Sequence, residues 1–440
     1  MTGQFGFKPN ADPRQRSSTL SGFQLSRSKT ESEVKIHGKR SDMNSTKERI
    51  FLVTALFFAL SSTGCDKPHQ AGTFGYDLDF LQALKQTIVL KNNGDKCQVA
   101  IIGDYQGRVM TSTGGGLAGN SYGWINYDLI SSGEFKEHMN AFGGEDRFWL
   151  GPEGGQYSIF FEKGSEFTLD NWHTPKSIDT EPFDLAERTE STATFEKEIH
   201  LTNYHGYDFS IDVTRTLSLL EKSEIEQNLD MTISDELAYV AFQSENVIEN
   251  TGMSVWTREQ GLLSIWILGM FIPTDNTTVV IPYRGSLALN TSYFGEIGPD
   301  RLKVLNNTVL FKADGRYRSK IGVPPGNVKP IAGSFDAEKG VLTIVEFTFE
   351  GDTTYVNSLW EIQDKPYGGD VINSYNDGPL ENGEQLGPFY ELESSSSSRE
   401  VAPGESIRHV HKTYHFEGER TQLDAISGKI LGIGLNEIKI

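Results

Sequence analysis

The 440-residue sequence is poor in cysteine, with two, and has only nine histidines and 16 prolines. Two cysteines, Cys65 and Cys97, do not make the framework of a small disulfide scaffold. It has no Gly-x-Ser-x-Gly elbow, phosphate loop, dinucleotide fingerprint or HExxH. The α/β-hydrolase, P-loop, Rossmann and zincin routes to chemistry are thereby set aside. Basic residues are also short, 40 against 60 acidic, for a net charge of −20. The imbalance is uneven: residues 1–50 carry 10 basic and 5 acidic side chains, residues 66–440 carry 30 and 55. A surface of that sign does not neutralise phosphates, so nucleic acid is not an expected partner.

Long apolar runs are scarce as well, and the longest introduces an export signal. From Met43 the chain reads "MNSTKERIFLVTALFFALSSTGC". Lys47 and Arg49 precede an apolar stretch over 50–60, and small residues lead to Cys65. This is a secretory layout, too short for a stable span. Its ending resembles a bacterial lipoprotein signal, although Ser62 stands where leucine is preferred. The expected organisation is a disordered start at 1–42, read as an over-extended gene start, and a lipoprotein-type signal at 43–64. A tether at 65–75, lipid-modified at Cys65, then leads to a single β domain over 76–440. The expected location is the bacterial cell envelope, with membrane contact only through the N-terminal lipid.

The mature chain has 45 glycines and many segments of alternating polarity. A brief helix is predicted over 77–86 from leucines at helical spacing. Strands are predicted over 97–113 (two, around a turn at 103–107), 157–162, 193–203, 208–220, 225–234, 341–349, 354–362 and 408–418. The continuously apolar 262–271 reads equally as a buried strand or a core helix. The fold class is all-β, with large antiparallel sheets packed face to face and few short helices.

Four stretches carry candidate chemistry. In "FYELES" (389–394) strand alternation puts Glu391 and Glu393 on one face and Tyr390 and Leu392 on the other. Neighbouring carboxylates push one pKa up, which suits acid–base work; the same alternation fits a solvated strand. "QDKPYGGDVINSYNDGP" (363–379) offers Tyr367, Asp370, Tyr375, Asn376 and Asp377 on a turn-rich segment, or simply a surface turn. "GGEDRFWLGPEGG" (143–155) sets Arg147, Trp149 and Glu153 between glycine pairs, a combination sugar pockets use. In "RHVHKTYHF" (408–416) His409, His411 and His415 share a parity, but their spacing is long for one shared zinc, and a solvated face is expected. No cofactor is expected. Calcium between Asp370, Asp377 and backbone carbonyls is chemically reasonable, but no loop spacing specifies it.

Taken together, "FYELES", the serine run at 394–398, "PGES" (403–406), "TYHF" (413–416), "YQGRVMTST" (105–113), "RFWLGPEGG", "SIWILGMF", "RSKIG" and "NSYNDGP" resemble the galactose mutarotase-like (aldose 1-epimerase-like) superfamily, in an uncharacterised bacterial branch. The resemblance covers about 76–440 and implies a β-supersandwich with sugar in a concave groove. It implies that Glu393 is a base for the anomeric hydroxyl, with Glu391 or Asp377 assisting. Arg147 and Trp149 would clamp the sugar, and Glu153, Trp256, Trp266, Lys320, Tyr367, Asp370, Tyr375 and Asn376 would line the groove. The serines are expected at its rim. One departure is plain: the mid-chain stretch 246–271, where the family has its acid histidine, contains none. His138, His205, Lys320 or a tyrosine would have to substitute. The alternatives are a glycan-binding lipoprotein without turnover and a purely structural envelope protein.

Overall fold

The computed structural model describes residues 68–380 and 382–440. The disordered start, the signal at 43–64 and Cys65 lie outside these residues. The predicted helix runs Phe74–Leu84, and the Thr73 side chain caps it by accepting from the Tyr76 N–H. It starts earlier than expected, so part of the predicted tether is helical.

The strands follow in chain order. β1 (Thr87–Asn92), β2 (Cys97–Ile102) and β3 (Arg108–Thr113) make a three-stranded antiparallel sheet. β4 (Arg147–Gly151) joins another sheet, and β5 (Asp184–Arg188), β6 (Thr192–Thr202), β7 (Asp208–Leu219) and β8 (Ala238–Asn250) form a meander. Then come β9 (Ser264–Phe271), β10 (Thr277–Pro282), β11 (Leu302–Leu305), β12 (Thr308–Lys312) and β13 (Ser319–Val323). The last strands are β14 (Ile331–Asp336), β15 (Val341–Phe347), β16 (Ile372–Asn376), β17 (Tyr390–Ser395) and β18 (Ser406–Glu417). Ten strands pair in the order β11-β12-β10-β14-β15-β18-β8-β7-β6-β5, and five in the order β13-β16-β17-β9-β4. All the pairings are antiparallel, the expected class.

The five-stranded sheet lays one face on the large sheet. Phe271, Tyr390, Leu392, Ile321 and Ile372 pack there with Val279, Ile281, Val309 and Val345. Strand 264–271 is buried at every position, which settles the ambiguity of its apolar run. It is a central strand covered on both faces, so its period disappears.

Several expectations are corrected. Residues 225–234 are largely a helix turn (Lys222–Leu229), because Ile225 and Leu229, four apart, are its buried positions and Glu221 and Glu224 close a capping box. Segments 157–162 and 354–362 are irregular, with isolated bridges only at Phe161 and Tyr355. His409, His411 and His415 are not on a solvated face: β18 is a central strand, and all three are buried. Ser394 Oγ lies 2.8 Å from both His409 Nε2 and His411 Nδ1, tying the two sheets together. His415 joins Thr343 Oγ1 at 2.9 Å to Glu145 Oε2 at 2.8 Å. Cys97 is buried, with its Sγ 3.1 Å from the Tyr239 carbonyl.

Candidate functional site

The site is the other face of the five-stranded sheet. Register places Glu391 opposite Tyr375 and Met270, and Glu393 opposite Asn373 and Leu268. Lys320 lies opposite Tyr375, Arg147 opposite Leu268, and Trp149 opposite Trp266. Directly paired residues share a face. Arg147, Trp149, Trp266, Glu391, Glu393, Asn373, Tyr375 and Lys320 therefore project together from five strands that are far apart in sequence.

Glu393 is the best-defined member. Its Oε2 accepts from Lys320 Nζ and from Trp266 Nε1, both at 2.9 Å. Its Oε1 is buried with no partner among the described residues. A buried carboxylate oxygen without a donor is costly, and such groups collect at sites that act on a ligand. Burial works against the charge of Lys320, but the carboxylates of Glu393 and Glu153 outweigh it and hold the ammonium above its usual range.

Glu391 has a different environment. Its Oε1 is 3.4 Å from Arg147 Nη2, a long contact between two buried groups. Burial pushes its pKa up to about 8, against the pull of Arg147 and with a further push from Glu393. The two glutamates thus differ in their partners although they sit side by side. Arg147 lays its guanidinium on the Trp149 ring at 4.1 Å from the centroid, and its Nε is buried without a partner among the described residues. Lys320 lies 4.8 Å from the Trp266 centroid.

Neither glutamate faces an open groove, since both are covered, Glu393 at 1% exposure. A small open volume lies at the Ser395 end of the face, lined by Trp266, Lys320, Asn373, Ser395, Tyr293 and Asp370. Residues 356 and 358 and strand-end residues Gly151 and Ser264 complete its wall. Glu153 belongs to the same neighbourhood: Trp360 Nε1 donates to its Oε1 at 3.1 Å, and burial raises its pKa against the attraction of Lys320.

The serine run is not a free loop, and only Ser395 of it lines the cavity. Ser394 and Ser395 end β17, and Ser394, Ser396 and Ser398 are buried. Ser396 exchanges backbone and side-chain hydrogen bonds with Ile265 at 2.8 and 2.9 Å, extending the pairing. Composition reads serines as a linker; here small hydroxyls are what fits between two sheets.

Other predicted site residues are not brought to the glutamates. Trp256 is buried in the core, its ring on Phe209 at 5.5 Å, because it bridges to Val401 beyond the end of the sheet. Asn376 has the opposite parity from Tyr375 and holds the 314–317 turn through Gly315 N–H and the Tyr317 carbonyl. Tyr367 stacks on Tyr157 at 5.8 Å and on Arg258 at 4.9 Å. Asp377 is nearer, beyond Tyr375 at the end of the face: it accepts from the Tyr375 hydroxyl at 2.5 Å and from Gly387 N–H at 2.9 Å, and its charge adds to the upward push on Glu391. Asp370 and Asp377 flank opposite ends of β16, so they do not converge on a common ion. Of the substitute acids, Lys320 and one tyrosine, Tyr293, lie among the residues lining the cavity; His138 stacks on His173, and His205 packs edge-on against Tyr157.

Sequence reasoning missed Tyr293, Asn373, Ser264 and Trp360. Asn373 was legible, since it shares parity with Tyr375. Tyr293 sits in an irregular segment with no period to mark it.

No curated protein matches the sequence. Solved structures similar to it include the Slr1438 protein from Synechocystis sp. PCC 6803 (11% identity, 76% of this chain and 96% of that one, TM-score 0.46). Others are a galactose mutarotase-like protein from Lactobacillus casei ATCC 334 (11%, 75% and 100%, 0.45) and the galactose mutarotase related enzyme from Lactobacillus acidophilus (8%, 76% and 98%, 0.43). A model of a family of unknown function, DUF6786, matches residues 72–440. On that match the chain belongs to the DUF6786 family.

Proposed function

We propose that this protein is a carbohydrate-active protein of the bacterial cell envelope, an epimerase of the mutarotase type with Glu393 as the base. The observation that carries the reading is the unpartnered Glu393 Oε1, on a carboxylate whose other oxygen is fixed by Lys320 and Trp266. Oε1 takes the proton of the anomeric hydroxyl. The freed electron pair forms the C1 carbonyl as the bond to the ring oxygen breaks, and that oxygen receives a proton. Rotation about C1–C2 and the reverse transfers close the other anomer and restore both groups. Aromatic faces at Trp149 and Trp266 and the amide of Asn373 suit the apolar and hydroxyl faces of a sugar. Two carboxyls side by side on one strand suit proton shuttling at one carbon better than attack from two sides of a glycosidic bond.

The test is anomer interconversion followed by NMR on D-galactose, D-glucose, D-mannose and D-xylose. Glu393→Gln is expected to lower the rate at least about 100-fold, the usual worth of a positioned base. Saturable sugar binding with no interconversion by the native chain would establish instead a glycan-binding module, which the lack of a histidine in 246–271 favours.

A further inference from the structure

The reading above leaves the acid unnamed. Glu391 precedes Glu393 along β17, whereas the open volume begins beyond Glu393, at Ser395. The group that protonates the ring oxygen must face that volume. Asp370 does, and it is held as a built site rather than as a loose loop carboxylate. Its Oδ2 accepts from the Tyr293 hydroxyl at 2.6 Å and from Asn290 Nδ2 at 2.8 Å. The Tyr293 oxygen is itself fixed by Asn373 Nδ2 at 3.1 Å. The carboxyl is seated on Gly322, where an added Cβ would lie 2.1 Å from Oδ2, so glycine is what leaves it room. Gly322 pairs with Asn373, which pairs with Glu393. Two inter-strand steps of about 4.8 Å put the Gly322 and Glu393 backbones roughly 10 Å apart, and Lys320 and Trp266, which donate to Glu393, line the volume that Asp370 faces.

We propose that Asp370 is the second proton-transfer group of this site, the acid that works with Glu393 across the cavity. Two donors occupy Oδ2, so in this assignment Oδ1 is the oxygen that carries and passes the proton. It passes to the ring oxygen as the C1–O5 bond breaks and returns when the ring closes. Tyr293 and Asn290 stay in place and stabilise the carboxylate that is left. Burial raises the Asp370 pKa above the usual carboxylate range, and the Tyr293 and Asn290 bonds moderate that rise.

This inference rests on the proposed reading, and the variants separate the two. In the full chain, Asp370→Asn is expected to lower kcat for anomer interconversion at least about 100-fold with KM within a few-fold of native. Gly322→Ala, which displaces the same carboxyl without removing it, is expected to lower kcat in the same way. Tyr293→Phe removes a donor that lowers the Asp370 pKa, so the basic limb of the kcat profile is expected to move to higher pH. Circular dichroism melts confirm that each variant is folded. Native kcat in both Asp370→Asn and Gly322→Ala, beside a dead Glu393→Gln, overturns the assignment of Asp370 and leaves the reading of the site intact. A loss confined to KM, or an unmoved limb in Tyr293→Phe, overturns it too and makes Asp370 a sugar contact. Full rate in Glu393→Gln overturns the site reading, and this inference falls with it.

Discussion

Glu391→Gln isolates the cost of the second glutamate. In the folded chain burial pushes the Glu391 pKa up to about 8, from an ordinary value of 4.5. Below 4.5 both folded and unfolded chains keep the proton, and the group is neutral to stability. As pH rises above 4.5 the unfolded chain releases its proton and the folded chain does not, so stability falls until about pH 8. The slope is about 1.4 kcal/mol per pH unit, or roughly 2.7 kcal/mol between pH 5.5 and 7.5. Arg147 is 3.4 Å away and Glu393 is adjacent, so this is an upper figure for a coupled pair. Glutamine keeps the acceptor that faces Arg147 and cannot ionise. Urea unfolding followed by tryptophan fluorescence, at pH 5.5 and 7.5, compares the two chains. The native protein is expected to lose more stability over that interval than the variant does, by about 1–3 kcal/mol. Equal losses would mean that Glu391 is ionised in the fold at pH 5.5, and the division of labour between the two glutamates would be wrong.

Three further outcomes concern other parts of the molecule. Burial lowers the pKa of His409 to about 3 and of His411 to about 4, so the unfolded chain takes up protons below about 6.5 that the folded chain refuses. Stability should therefore fall as pH drops from 6.5 toward 4, and Ser394→Ala should cost about 1–3 kcal/mol at pH 7 by stripping both rings of their shared hydroxyl. A variant within about 0.5 kcal/mol of native in urea would show that the hydroxyl contributes nothing between the sheets. We propose lipid attachment at Cys65: metabolic labelling with palmitate in a bacterial host should mark the full chain and be abolished by Cys65→Ser, whereas label that persists in the variant would place the lipid elsewhere.

Strand patterning was legible wherever one face is buried and the other is not. Strands 192–202 and 208–219 carry that period. It misled where short amphipathic pieces mimic it: the helix at 222–229 alternates over a few residues yet buries positions four apart. Trp256 illustrates another limit. Its neighbourhood in sequence resembles the region of a family site, but its side chain is taken up by Phe209 in the core.

The sequence by itself determined the fold class, the resemblance and the shared face of Glu391 and Glu393, since each rests on composition or on a period of two along one strand. Only tertiary structure decided which residues meet those glutamates. Lys320, Trp266 and Arg147 come from three other strands, joined through the order β13-β16-β17-β9-β4, and no spacing along the chain encodes that order. Tertiary structure also decided that the serines and the β18 histidines are interior, because burial on both faces depends on a second sheet that local patterning does not contain.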